Sequence, residues 1–210
     1  MSRFTADARI NNYPNHSENA TYAKSFNNES TISEDTKFLI VGTLTSVGGR
    51  GPNNNGYFYC ADKNLMYEFI DKALGTKLCE EKMKFIEDWN QDVKKNIKEK
   101  LESEKIAFLD VVDKAYIKKG SSSDDDIECY TLATNHFEKI INIDNLKIVA
   151  NSLNAYRVLL KIFEKIGIKN KNVEIIPQQL RGYSKPNGSG KTYNCINQLE
   201  DEWKRFLNSK

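Results

Sequence analysis

The sequence predicts an α/β domain of three layers, with helices on both faces of a four-stranded parallel sheet. Three observations predict it. Four short apolar runs stand apart along the chain. Helical stripes of apolar residues separate them. The first two runs are continuously apolar, as strands buried on both faces are. Alternating strands and helices fold into parallel strands joined by right-handed crossovers.

The strand runs are Phe38-Leu39-Ile40-Val41, Ile106-Ala107-Phe108-Leu109, Leu146 to Ala150, and Val173-Glu174-Ile175-Ile176. The fourth alternates slightly and predicts an edge. One helical stripe holds Leu65, Phe69, Ile70, Ala73 and Leu74. A second, on a charged helix, runs from Met83 through Trp89 and Val93 to Leu101. Phe137, Ile140 and Ile141 predict a short helix. Ala155 to Ile166 and Leu199 to Leu207 predict two more. Residues 1–35 are rich in Asn, Ser, Thr and Glu and lack periodicity, so they read as an irregular arm. Residues 36–210 then form a single domain.

The 210 residues suffice for one domain with a real core. The formal charge of +2 lacks the basic excess of many nucleic-acid binders, though a local patch would suffice. No apolar run is long enough to span a bilayer. Met1 to Tyr13 lacks the apolar core of a signal peptide, which predicts a cytoplasmic protein with no membrane partner. Cys60, Cys79, Cys129 and Cys195 are scattered, with only His16 and His136 beside them. Closely spaced ligands are missing, so neither a metal nor another cofactor is expected. Nothing in the sequence bears on oligomeric state.

In open α/β sheets, ligands bind beyond the carboxyl ends of the strands. That rule selects Gly42–Asn64, Asp110–Ile127, Asn151–Ala155 and Pro177–Tyr193. The first is Gly-rich and carries Tyr57-Phe58-Tyr59 in a row. Three consecutive aromatics in such a loop either cap the core or stack on a planar ligand.

Gly42-Thr43-Leu44-Thr45-Ser46, then Gly56-Tyr57-Phe58-Tyr59, then Asn64 before an aromatic-rich helix resembles the uracil-DNA glycosylase superfamily. The hypoxanthine-DNA glycosylase branch is the nearest match. Leu109-Asp110-Val111, the Gly120-Ser121 to Asp124 segment, Asn135-His136-Phe137 and Ile148 to Asn151 follow in that branch's order, across roughly residues 37–207. The chain departs from the pattern at Thr45 and at Ala61-Asp62, where the family has Pro and His-Pro. Asn151 is followed by Ser152 rather than Gly. The segment after strand four, Pro177-Gln178-Gln179-Leu180-Arg181, diverges most.

The resemblance implies a base-excision repair hydrolase that flips a deaminated base (uracil, hypoxanthine or xanthine) from DNA and cleaves its N-glycosidic bond. Tyr59 matches the stacking aromatic, with Tyr57 and Phe58 beside it. Asn151 matches the amide that reads the base edge. Asn64 matches the residue that orients water. Backbone amides near Thr43 and Leu44 would stabilise charge on the departing base. Ser46, Ser121, Gln178, Leu180 and Arg181 fall where DNA contacts are expected. Other readings stay open. Asn64 suits a helix N-cap, as does Asn151, and Tyr59 suits a core. The altered segment after Pro177 suits a non-catalytic nucleic-acid or nucleotide-binding protein on the same fold.

Lys185 to Thr192 approximates a phosphate-binding loop, but Lys185 stands where the motif needs its first Gly, and the preceding strand ends too early. As part of a DNA surface, Lys185 and Lys191 would pair with phosphates, with a steep salt dependence.

Overall fold

The computed structural model describes residues 6–11, 13–119, 121, 124–169, 171–178, 193 and 195–209. In chain order the strands are β1 Ala20–Lys24, β2 Phe38–Gly42, β3 Ile106–Asp110, β4 Val112–Lys118, β5 Ile127–Leu132, β6 Lys147–Ala150 and β7 Val173–Ile175. The helices are α1 Ala6–Asn11, α2 Met66–Leu74, α3 Leu78–Asp88, α4 Gln91–Ser103, α5 Thr134–Phe137, α6 Leu153–Ile166 and α7 Ile196–Asn208.

The four expected strands form one parallel sheet in the order β3-β2-β6-β7, with β7 at an edge. Every residue of β2 and β3 is buried. Alternation along β2 divides the core. Phe38 and Ile40 face a layer built by α2, α3, α4 and α7. Leu39 and Val41 face the layer of α5 and α6. Trp203 of α7 is fully buried, stacks on Phe69 and donates from Nε1 to the Pro177 carbonyl at 3.0 Å. That bond fixes where the chain leaves the fourth strand. No described helix is long and apolar enough to cross a membrane.

Three expectations are corrected. The stripe from Met83 to Leu101 is two helices, not one. Trp89 takes a left-handed φ of 57° and ends α3, and the Asn90 side chain accepts from the Asp92 and Val93 amides to start α4. A cap overrides continuous periodicity.

The second correction concerns Asp110–Ile127, which carries strand β4 and the turn of a β-hairpin rather than only loop. Strands β4 and β5 pair antiparallel, and β1 adds to β4 to complete a separate three-stranded sheet. The alternation in Val112–Lys118 is a half-buried strand signal.

The third concerns residues 1–35. They carry β1, and residues 27–31 seal the edge of the parallel sheet. Asn27 exchanges two bonds with the Asp110 backbone, at 2.8 and 2.7 Å, and Thr31 Oγ1 donates to the Ile106 carbonyl at 2.9 Å. An open β3 edge would be a template for foreign strands. Only one residue of β1 is buried, Ala23, so its strand character comes from its partner and not from its own pattern.

Candidate active site at the strand ends

The parallel register brings Gly42, Asp110 and Asn151 side by side at the carboxyl ends of β2, β3 and β6. Gly42 allows this crowding. A Cβ there would lie 2.6 Å from Asp110 Oδ1 and 2.9 Å from the Tyr59 hydroxyl.

Tyr59 reaches the same point from the loop after β2. It holds a left-handed backbone, φ 56°, which costs a non-glycine residue roughly 1 kcal/mol. The strain aims its ring edge-on at Phe108, 4.9 Å between centroids. Its hydroxyl accepts from Asn151 Nδ2 at 3.1 Å. Burial, with Asp110 and Asp124 nearby, pushes the phenol well above its ordinary range, so it stays neutral.

Asp110 is 2 % exposed. Its Oδ2 accepts from the Thr45 amide at 2.8 Å and the Thr45 hydroxyl at 2.9 Å. Burial still dominates and pushes the carboxyl up to about 6. Arg50, also buried, donates to the Lys24 carbonyl at 2.7 Å, and its field favours the Asp110 carboxylate.

Asn64 lies in the neighbouring loop. Its Oδ1 accepts from the Met66 amide at 2.9 Å and its Nδ2 donates to Gln178 Oε1 at 3.3 Å. The first bond is an Asx turn at the entry to α2, whose N-cap position is Leu65. The second joins the loop to the segment after β7. Lys82 of α3, 3 % exposed, pins the loop from behind by donating to the carbonyls of Ala61, Asp62 and Asn64. For Asn151, the capping alternative gives way, because Ser152 caps α6 by accepting from the Ala155 amide at 3.0 Å. Asn151 keeps its amide for the site.

Tyr57 and Phe58 are corrected. Both are fully buried, pack edge to face on each other, and belong to the core under α2 and α4. The Phe58 carbonyl accepts from the Tyr67 hydroxyl at 2.9 Å. Three aromatics in a row cannot all face one ligand when two must fill the core.

Thr43 is buried, with its Oγ1 3.4 Å from Ser152 Oγ. Leu44 is half-buried against the α6 layer. Ser46 is half-buried, and its carbonyl accepts from the Gly49 amide. Ser121 Oγ donates to Asp126 at 2.6 Å in the β4–β5 turn. Leu180, Arg181, Lys185 and Lys191 lie outside the described residues.

Sequence reasoning missed one member. Asp124, in the β4–β5 turn, hydrogen-bonds Thr43 and Asn154. Burial is the larger influence and pushes its carboxyl up. The sequence signal, a Ser-rich run ending in Asp, reads equally as a solvated turn. Only the hairpin brings it over the strand ends. Among the described residues, no group of three or more His, Cys, Asp or Glu is placed to hold a metal ion.

The strand order and flanking layers are those of a uracil-DNA glycosylase-like α/β/α fold. The solution structure of a Methanosarcina acetivorans protein that carries the provisional name uracil DNA glycosylase matches it with a TM-score of 0.56. The two share 17 % identity, over 89 % of this chain and 97 % of that one. No family model matches the chain, and no curated protein does.

Proposed function

We propose that the chain is a DNA glycosylase that hydrolyses the N-glycosidic bond of a deaminated base, namely uracil, hypoxanthine or xanthine. The observation that carries the proposal is the meeting of Tyr59 and Asn151 over Gly42 at the strand ends. A neutral aromatic and a buried amide at one point suit a flipped base. Base entry requires Tyr59, 8 % exposed, to yield a ring face for stacking, and the Asn151 amide then offers a donor and an acceptor to a base edge. The solved fold neighbour supports this reading at the level of its provisional name.

In this mechanism Asn64 orients the attacking water, and the backbone near Thr43 and Leu44 stabilises charge on the leaving base. An amide does not take a proton at neutral pH. A carboxylate has to accept the proton of the water, and we assign that role to Asp124, which hydrogen-bonds Thr43 at the strand ends.

One observation favours a second reading, a binding protein on the same fold. Both polar atoms of the Asn64 side chain are engaged within the protein.

Duplexes carrying each base, followed by alkaline cleavage of abasic sites, decide between them. Glycosylase activity gives strand breaks with one base, lost in Asn64→Ala and reduced at least tenfold in Asp124→Asn. A folded protein that binds these duplexes and breaks none is the binding protein.

A further inference from the structure

The β1–β4–β5 sheet has one face on the core; on the other, Tyr13 and His16 lie over Tyr116, Cys129 is buried, and Tyr22, Lys24 and Lys118 are exposed. Ala23, Ala115 and Ile117 point inward. The strand alternation sends Tyr22, Lys24, Lys114, Tyr116 and Lys118 to the other side. The register sets these residues in rungs. Lys24 stands opposite Lys114, Tyr22 opposite Tyr116, and Ala20 opposite Lys118.

Two features of this face cost stability. Directly opposed like charges sit about 5 Å apart at Cβ and repel. Among the described residues, Lys24, Lys114 and Lys118 form no ion pair to offset that. Glu128 accepts from the Ser17 amide and hydroxyl, both at 2.6 Å, and its field attracts Lys118, which leaves the Lys24–Lys114 rung opposed. The second cost is exposed aromatic surface. Tyr22 is 45 % exposed and meets Tyr116 edge-on, centroids 5.6 Å apart. His16, exposed, lies flat on Tyr116 at 3.7 Å and 14°, with Tyr13 at 5.9 Å.

We propose that this outer sheet face binds single-stranded DNA. Rungs of cations alternate with a rung of aromatic rings, and a single strand alternates in the same way between phosphates and flat bases. Bases extend the Tyr–His stack while phosphates relieve the Lys24–Lys114 repulsion. A duplex hides its base faces and gains only the charge contacts. Lys114 and Lys118 are spaced by roughly 13 Å along β4, enough for more than one nucleotide between them. The strand β4 leads to the turn that holds Asp124, so the surface runs toward the strand ends. The proposal goes beyond excision and does not depend on it.

The test is fluorescence anisotropy of the whole chain with a labelled oligothymidylate of about 12 nucleotides, within ordinary site sizes. A duplex of equal length and inorganic polyphosphate serve as competitors. Tyr22→Ala is expected to weaken binding about 5- to 150-fold, the worth of one stacked base. Tyr22→Trp should restore it. The double variant Lys114→Gln/Lys118→Gln should lower the slope of log affinity against log salt by about 1.4. Lys95→Glu, on the exposed side of α4, should change neither. Wild-type binding by Tyr22→Ala, or polyphosphate competing as well as the oligonucleotide per phosphate, overturns the proposal. Lost excision with this binding intact leaves the surface standing, whereas excision without it removes the surface alone.

Discussion

Asn151 Nδ2 donates to the hydroxyl of Tyr59 at 3.1 Å across 92 residues of sequence, and this bond closes the strand-end cluster. Both residues are more than nine-tenths buried. Tyr59→Phe removes the acceptor and leaves a buried amide hydrogen without a partner. It is expected to cost about 1–3 kcal/mol. Urea unfolding measures that loss. Base selectivity should also relax, because Asn151 is then free to turn.

Gly42→Ala tests the crowding from the other side. Its Cβ would meet Asp110 Oδ1 and the Tyr59 hydroxyl inside contact distance, and both are locked by their own bonds. Overpacking of this kind costs about 1–3 kcal/mol. Denaturant midpoints should fall accordingly, and excision should fall with them as Tyr59 is displaced.

Asp110 predicts a pH dependence. Its carboxyl titrates at about 6 in the fold, against about 4 in an unfolded chain. Between these values the folded protein keeps the proton and the unfolded chain has released it. Stability is therefore full below about 4 and falls as pH rises through 6, by up to about 3 kcal/mol. Asp124, also shifted upward by burial, adds in the same direction. Melting temperatures from pH 4 to 7 should show the decline, and Asp110→Asn should flatten it. An unchanged slope in that variant assigns the dependence elsewhere.

Lys82 predicts a loop effect. Lys82→Met keeps the buried stem but removes three bonds to the carbonyls of Ala61, Asp62 and Asn64. The expected cost is about 1–3 kcal/mol from unsatisfied carbonyls. If Asn64 orients water, the excision rate should drop while oligonucleotide affinity stays within twofold. Steady-state rates and binding titrations separate the two.

The parallel sheet could be read from sequence because its signal is local. Phe38 to Val41 and Ile106 to Leu109 are apolar on both faces, and few other structures bury such a run. The strand-end rule then points to the segments that open on Gly42, Asp110 and Asn151. Composition alone cannot say which of the three adjacent rings Tyr57, Phe58 and Tyr59 the core claims. Burial under α2 and α4 decides it.

What the sequence by itself determined is the layer order and the segments that border the site, both set by hydrophobic period and by where each strand stops. Only the tertiary structure decided the rest. Strand β1 exists because β4 supplies its hydrogen bonds. Asp124 joins Thr43 because the β4–β5 hairpin folds back over the sheet. Tyr59 keeps its strained backbone because Asn151, Phe108 and the Cβ-free Gly42 fix its ring from three strands. Long-range pairing of this kind leaves no periodic trace in the chain, because its energy comes from the partner and not from the segment itself.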